Sequence, residues 1–296
     1  VVSDGGKWNM EDVADSSGFS GSGAGKTILL HKEVEKVGWA DRLGYPAQKC
    51  GDCVSHGTAK AMGYTLCVGI THGNGSKPET NGVENTMFPI ASETHYWHRG
   101  KSSDGWHASA SLRVAKEKTG IVIRQKIPGG ADLTHYSRET AHRFGRTPPP
   151  QSVNDFLDDN PILTFSKCNS FEEIRDAIAN GFGVQTDGGE GFAKSVNSDG
   201  VARRSGSWSH SMSVSGVIDT EAFKSKYGCP GLLIQNSWGN FNHVTNEKVF
   251  GTNVALPKGS FIAKWNDVKR RSYYAVSNIT SWPARDLPDW SMRDLI

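Results

Sequence analysis

The sequence predicts an α+β fold of two subdomains, a mainly helical half followed by a mainly β half, with a cleft between them. Three observations carry this. Apolar residues recur at helical spacing early in the chain, and short alternating apolar segments come late. Words able to carry chemistry fall in both halves: Cys50-Gly51-Asp52-Cys53 in the first, Ser209-His210-Ser211 and Asn236-Ser237-Trp238-Gly239 in the second.

Taken in order, residues 1–35 read as a polar, Gly/Ser-rich N-terminal extension, and its stretch Ser16-Ser17-Gly18-Phe19-Ser20-Gly21-Ser22-Gly23 suits a flexible arm or a surface extension. Gly21-Ser22-Gly23-Ala24-Gly25-Lys26-Thr27 is close to a phosphate loop. Ser20 stands where that pattern wants its first glycine, and no apolar strand precedes it, so the stretch reads as a linker. Residues 36–150 read as the mainly helical subdomain. Cys53 to Ile70 lacks proline and spaces Ala59, Met62, Leu66 and Ile70 on one helical face, with Cys53 at its start; Ser109 to Lys118 reads as a second helix, stopped near Gly120. Pro148-Pro149-Pro150 and the polar run behind them mark the crossing to residues 151–296, the mainly β subdomain. There, strands are expected over Gly183 to Thr186, His210 to Ile218, Leu232 to Gln235 and Ser260 to Ala263.

Composition narrows the function. A chain of 296 residues can bury a substantial core. With 33 basic against 31 acidic residues, no strong field favours nucleic acid or an anionic membrane. No apolar run approaches the roughly 18 residues that span a bilayer, and the first residues lack a signal-peptide pattern. The expectation is a soluble protein, cytoplasmic or particle-associated rather than secreted. Five cysteines leave at least one unpaired within the chain.

The three words follow the order nucleophile, base, orienter, with 157 residues from Cys53 to His210 and 26 more to Asn236. Their flanks make the pattern specific. Gln48-Lys49-Cys50-Gly51-Asp52-Cys53 resembles the nucleophile loop of the papain-like cysteine peptidase family, whose second cysteine is the nucleophile. His210-Ser211-Met212-Ser213-Val214-Ser215-Gly216-Val217 is similar to the family's histidine strand, and Leu233-Ile234-Gln235-Asn236-Ser237-Trp238-Gly239 to its asparagine strand. Phe171 to Gly181 resembles the helix before the first barrel strand, and Gly38-Trp39-Ala40-Asp41-Arg42 a word near the mature N-terminus. The resemblance spans residues 36–270 and implies the papain-like two-subdomain fold, a peptide or protein substrate and no cofactor or metal.

Chemically, Cys53 at a helix N-terminus sits where unpaired N–H groups favour a thiolate. His210 would take the thiol proton and return it to the leaving amine. Asn236 would accept the other ring N–H. By resemblance, Trp238 shields that bond from water, and the side-chain amide of Gln48 joins the Cys53 N–H in holding the oxyanion. The sequence departs from the family in several places. Gln48 stands five rather than six residues before the nucleophile. Asp52 replaces a serine and opposes the thiolate, Val54 replaces a tryptophan, Ser209 replaces an acidic or amide residue, and Cys50 lacks the cysteine that relatives pair with it.

Other readings stand beside this one. Cys53 is alternatively an inert core cysteine, and Cys50–Cys53 a redox or zinc half-site. His210 is alternatively a core histidine, Asn236 a turn residue. His95 and His98 with Glu93 could form a metal cluster, but the two histidines are read as surface or cleft-rim groups, and His56 as a helix-packing group. Asn74-Gly75-Ser76 and Asn278-Ile279-Thr280 match glycosylation sequons by pattern only. The alternative function is a papain-fold structural or binding module of a larger protein assembly, for example a virus particle, with little or no activity.

Overall fold

The computed structural model describes residues 7–11, 13, 19–39, 47–73, 90–99, 103–117, 123–158, 164–239, 247–277 and 286–292. Of the features expected from sequence, both sequons, Ala40 to Arg42 and residues 74–89 and 240–246 lie outside these.

Its elements run β1 (Lys7–Asn9), β2 (Thr27–Leu29), α1 (His31–Lys36), α2 (Cys53–Thr71), a 3₁₀ helix (Thr94–Arg99), α3 (Ala108–Glu117), α4 (Arg138–Phe144), α5 (Gln151–Asp158), β3 (Phe165–Cys168), α6 (Phe171–Ala179), β4 (Val184–Val196), β5 (Ala202–Ile218), α7 (Glu221–Tyr227), β6 (Gly231–Gln235), β7 (Ser260–Lys264), α8 (Trp265–Val268) and β8 (Ser272–Val276). Helices early and strands late is the expected α+β order. The helices at Cys53, Ser109 and Phe171 start within a residue of expectation. Sequence reading shortened β4 and β5, because Gly188-Gly189 and the polar run Arg203 to Ser209 interrupt the alternation that marks a strand.

The described strands form one sheet in the order β1-β3-β8-β4-β5-β6-β7, with β2 added against the end of β5. All pairings are antiparallel except β1 with β3. The sheet curls: Val201, just before β5, bridges to Ile262 on β7, and the Ile262 N–H donates to the Gly200 carbonyl at 2.8 Å. Local chemistry sets the helix ends. The side chains of Ser137, Ser170 and Thr220 accept from the backbone N–H groups of Thr140, Glu173 and Phe223 at the starts of α4, α6 and α7.

Packing then seats α2 on the sheet. Ala59, Met62 and Tyr64 from this helix share a buried cluster with Val184, Val214, Ile234 and Phe261 from the strands. Two glycines permit the approach. A Cβ on Gly183 would lie 2.0 Å from the Ala61 carbonyl oxygen, and one on Gly57 would lie 2.7 Å from the Ser211 hydroxyl. Neither glycine has room for a side chain.

The N-terminal expectation needs correction. Residues 19–25 were read as part of a flexible arm, yet they are built into the fold. Phe19 is buried against Phe182 at 5.9 Å between centroids. The glycine-rich loop donates its N–H groups to buried carboxylates: Gly21 and Gly23 to Asp176 at 2.6 and 3.2 Å, Gly25 to Asp219 at 2.8 Å. Carboxylates thus fill the amide nest that a phosphate would need, and Lys26 faces Asp286 at 3.3 Å. Glycine and serine serve a tight turn as well as a linker, and the partners that decide between them lie about 150–190 residues away in sequence.

Gly183→Ala is expected to destabilise the protein by at least about 1–3 kcal/mol, the usual cost of overpacking. A lowered urea midpoint reads this out. An unchanged midpoint would show that the helix lifts off its strands at no cost.

Candidate active site

Cys53 opens α2 and is half-buried, with Asp52 at the N-cap position. The Asp52 side chain does not cap the helix. It turns into the protein, where its carboxylate accepts from the Tyr136 hydroxyl at 2.9 Å and lies 3.3 Å from His56 Nε2. Burial raises this carboxyl, but the His56 charge and the bonds from His56 and Tyr136 outweigh it and hold the group below its usual range. His56 is therefore a buried partner of Asp52, also edge-on to the Tyr136 ring at 4.9 Å.

The Cys53 thiol is pushed up to about 11, first by burial and then by the nearby Asp187 and Asp52 carboxylates; the N–H groups of Ser211 and Val54 pull the other way. Cys50 is pushed up to about 12, by burial and by Asp52. All five cysteines are free thiols. Among the described residues, no group of three or more His, Cys, Asp or Glu side chains could hold a metal ion.

His210 lies on β5 opposite Gly188 of β4. Its Nε2 is 2.8 Å from Asn236 Oδ1, just past the end of β6, and both residues are buried. The proton on this bond can be assigned. The Ser237 backbone N–H, which can only donate, also points at Asn236 Oδ1 at 2.7 Å. That atom is therefore the amide oxygen, and His210 Nε2 must carry the hydrogen. The ring's lone pair stays on Nδ1. Trp238 stacks on the His210 ring at 4.3 Å and 29°, with Trp208 beside it at 4.7 Å. Burial drives the imidazole down to about 4; the Asn236 bond opposes this, and Arg271, Lys60 and His56 add to it.

Gln48 is stitched to the asparagine word. Its backbone N–H donates to the Ser237 carbonyl at 2.7 Å, and its side-chain oxygen accepts from the Ser237 hydroxyl at 2.5 Å. One N–H of its amide goes to the Cys50 carbonyl at 3.1 Å. These bonds hold the glutamine beside both Cys50 and the Asn236-Ser237 pair.

Several groups around this site have no signal in the local sequence. Lys60, fully buried on α2, donates to the Asn236 carbonyl at 2.6 Å, and burial holds its amine well below the ordinary range. Tyr64, one turn on, donates to the Gln235 side chain. Gln185 on β4 links the halves: its amide donates to the Val54 carbonyl at 3.1 Å and the Ser211 hydroxyl at 3.0 Å, while its oxygen accepts from the Thr58 hydroxyl at 2.8 Å. With that hydrogen used, Ser111 must donate to Thr58 at 2.6 Å, so His95 Nε2 must donate to Ser111 at 2.7 Å. His95 was expected at the surface or cleft rim. It is buried instead, because the 3₁₀ helix carrying it packs on α3 and Trp106 lies against its ring at 5.1 Å. Asp187 accepts from the first N–H of α3, Ala108, at 2.5 Å, and burial raises its carboxyl above the usual range.

No protein-family model and no curated protein matches this sequence. Solved structures do match. Xylellain, a cysteine protease from Xylella fastidiosa, is 13% identical over 79% of this chain and 82% of its own, with a TM-score of 0.51. A recombinant stem bromelain precursor is 10% identical over 92% of this chain and 75% of its own, with a TM-score of 0.50. The likeness is one of fold. The chain has the papain-like two-subdomain fold, helices on one side and a curled antiparallel half-barrel on the other.

The two titrating groups imply a distinctive pH dependence. His210 is uncharged above about pH 4 and Cys53 protonated below about pH 11, so neither is charged at neutral pH. Alkylation of Cys53 by iodoacetamide should accelerate about tenfold per pH unit through the neutral and alkaline range, tracking the rising thiolate fraction. A rate already level in weak acid would show a resting thiolate–imidazolium pair instead.

Proposed function

We propose that the protein is a cysteine peptidase that hydrolyses peptide bonds through an acyl-enzyme on Cys53. The observation that carries this reading is the convergence of His210 Nε2–H and Ser237 N–H on Asn236 Oδ1. That arrangement leaves Nδ1 as a base, on a strand whose next residue, Ser211, is joined through the Gln185 amide to Val54, the residue after Cys53.

In this reading the resting site holds a neutral thiol and a neutral imidazole. His210 Nδ1 removes the thiol proton as sulfur attacks the carbonyl carbon, and the resulting imidazolium hands the proton to the departing amine. A water, deprotonated by the same nitrogen, then releases the acid. Asn236 keeps Nε2 protonated throughout, and Trp238 covers the bond on one face. Oxyanion charge falls to the Cys53 N–H and to the second amide N–H of Gln48, the first being committed to Cys50.

A second reading, a papain-fold binding or structural module within a larger assembly, has one observation in its favour. Burial, Asp187 and Asp52 all raise the Cys53 thiol, which works against an activated nucleophile. Turnover of a peptide library by the intact chain decides between the two. Under the peptidase reading, Cys53→Ala and His210→Ala each abolish cleavage with the fold intact, while comparable turnover by Cys53→Ala would end the mechanism.

Gln48 gives a finer test. Gln48→Ala should slow peptide cleavage by about 10²–10³, the usual cost of one oxyanion donor. It should leave alkylation of Cys53 by iodoacetamide largely unchanged, since that reaction develops no oxyanion. Equal losses in both would mean that Gln48 only braces the loop.

A further inference from the structure

Arg271, which ends the turn between α8 and β8, is the most completely buried cation on the barrel side of the site, its side chain fully enclosed. Its guanidinium is aimed at the histidine strand from behind. Nη2 donates to the main-chain carbonyl of His210 at 2.7 Å, and Nε to the Thr186 hydroxyl at 3.2 Å. Nη1 reaches the Glu190 carbonyl at 3.3 Å and, at 3.5 Å, its carboxylate. Space for this is made by Gly188, the residue paired with His210: a Cβ there would sit 2.5 Å from Arg271 Cγ and 2.7 Å from Glu190 Oε2. Among the described residues Glu190 forms the one ion pair with it, at 3.5 Å, with the Asp187 carboxylate acting from further off, and the shortest bond is spent on the carbonyl of His210 itself.

We propose that Arg271 is a positioning residue of this site: its guanidinium fixes the backbone of His210 and places a positive charge at the histidine strand, which disfavours a second one on the imidazole. Calling His210 the base rests on the peptidase reading; the electrostatic claim does not. The other charged or titratable groups that act on the ring are His56 and Lys60 from α2, while Asp187 and Glu190 lie on β4 close to Gly188, the strand partner of His210. Lys60 donates to Asn236 as an amine whose charged form burial disfavours, and the Asp52 carboxylate lies against His56. Asp187 is committed to the start of α3, and Glu190 to Arg271. Arg271 is thus the permanent charge in the set.

The test is an NMR pH titration of His210 in the full chain, its resonance assigned by loss in His210→Gln. Removing the charge in Arg271→Met should move the His210 midpoint upward by about one pH unit or more, the usual effect of one nearby charge. Arg271→Gln, which keeps a donor for the carbonyl and is the gentler change, should move it in the same direction. Arg271→Lys keeps the charge and should leave the midpoint low. The iodoacetamide profile of Cys53 in the neutral variants should flatten toward acid pH as an imidazolium becomes available to pair with the thiolate. A folded neutral variant whose midpoint stays put or falls, or a Lys variant that shifts as far as Met, would overturn the proposal. Because the titration needs no turnover, a shift as expected in a protein that cleaves no peptide would retain this inference while removing the peptidase reading.

Discussion

The seat of helix α2 on the barrel strands is the constraint from which the site follows. Gly183 brings its strand to backbone contact with the helix, and Gly57 brings the helix against the Ser211 hydroxyl and the Gln185 amide. Once that distance is set, residues on one face of α2, four, seven and eleven positions apart, meet the strands in turn. Beyond Cys53, Gly57 meets the Ser211 hydroxyl, Lys60 the Asn236 carbonyl and Tyr64 the Gln235 amide. The face carries polar groups where an ordinary helix–sheet interface carries apolar ones. Each finds a partner, so desolvation is repaid locally and the relative position of the halves becomes specific.

The consequence is electrostatic. Burial alone would make any charge in this region costly, and the arrangement adds carboxylates near the thiol and cations near the imidazole. Both biases point toward a neutral resting pair. A site built this way depends on geometry for proton transfer, which is where the convergence on Asn236 Oδ1 matters. The tautomer follows from an N–H that can only donate, and the ring orientation follows from the stack with Trp238.

The parts of this molecule legible in the sequence are those whose signal is local. Cys53 begins a helix because a proline-free apolar repeat runs on from it, and His210 lies on a strand and Asn236 at a strand's end, in flanking words that are short and contiguous. Where the deciding partner lies far along the chain, reading failed or had nothing to read. The glycine loop at residues 21–25 carries a linker's composition and is held by Asp176 and Asp219. His95 sits among polar residues and is buried by α3. Arg271, Lys60, Asp187 and Gln185 stand in unremarkable surroundings, and only the fold brings them to the site. Tertiary partners, not local propensity, decided each of these.

The most direct test of the central claim, that α2 and the barrel strands together hold His210 as a base for the Cys53 thiol, is covalent trapping by a peptidyl fluoromethyl ketone, with the modified residue identified by mass spectrometry. This reagent needs an attacking sulfur and a group to take its proton. The account predicts stoichiometric modification of Cys53, with Cys50 spared, and loss of that modification in a folded His210→Ala variant. No adduct on Cys53, or an adduct that forms equally well without the histidine, would contradict it.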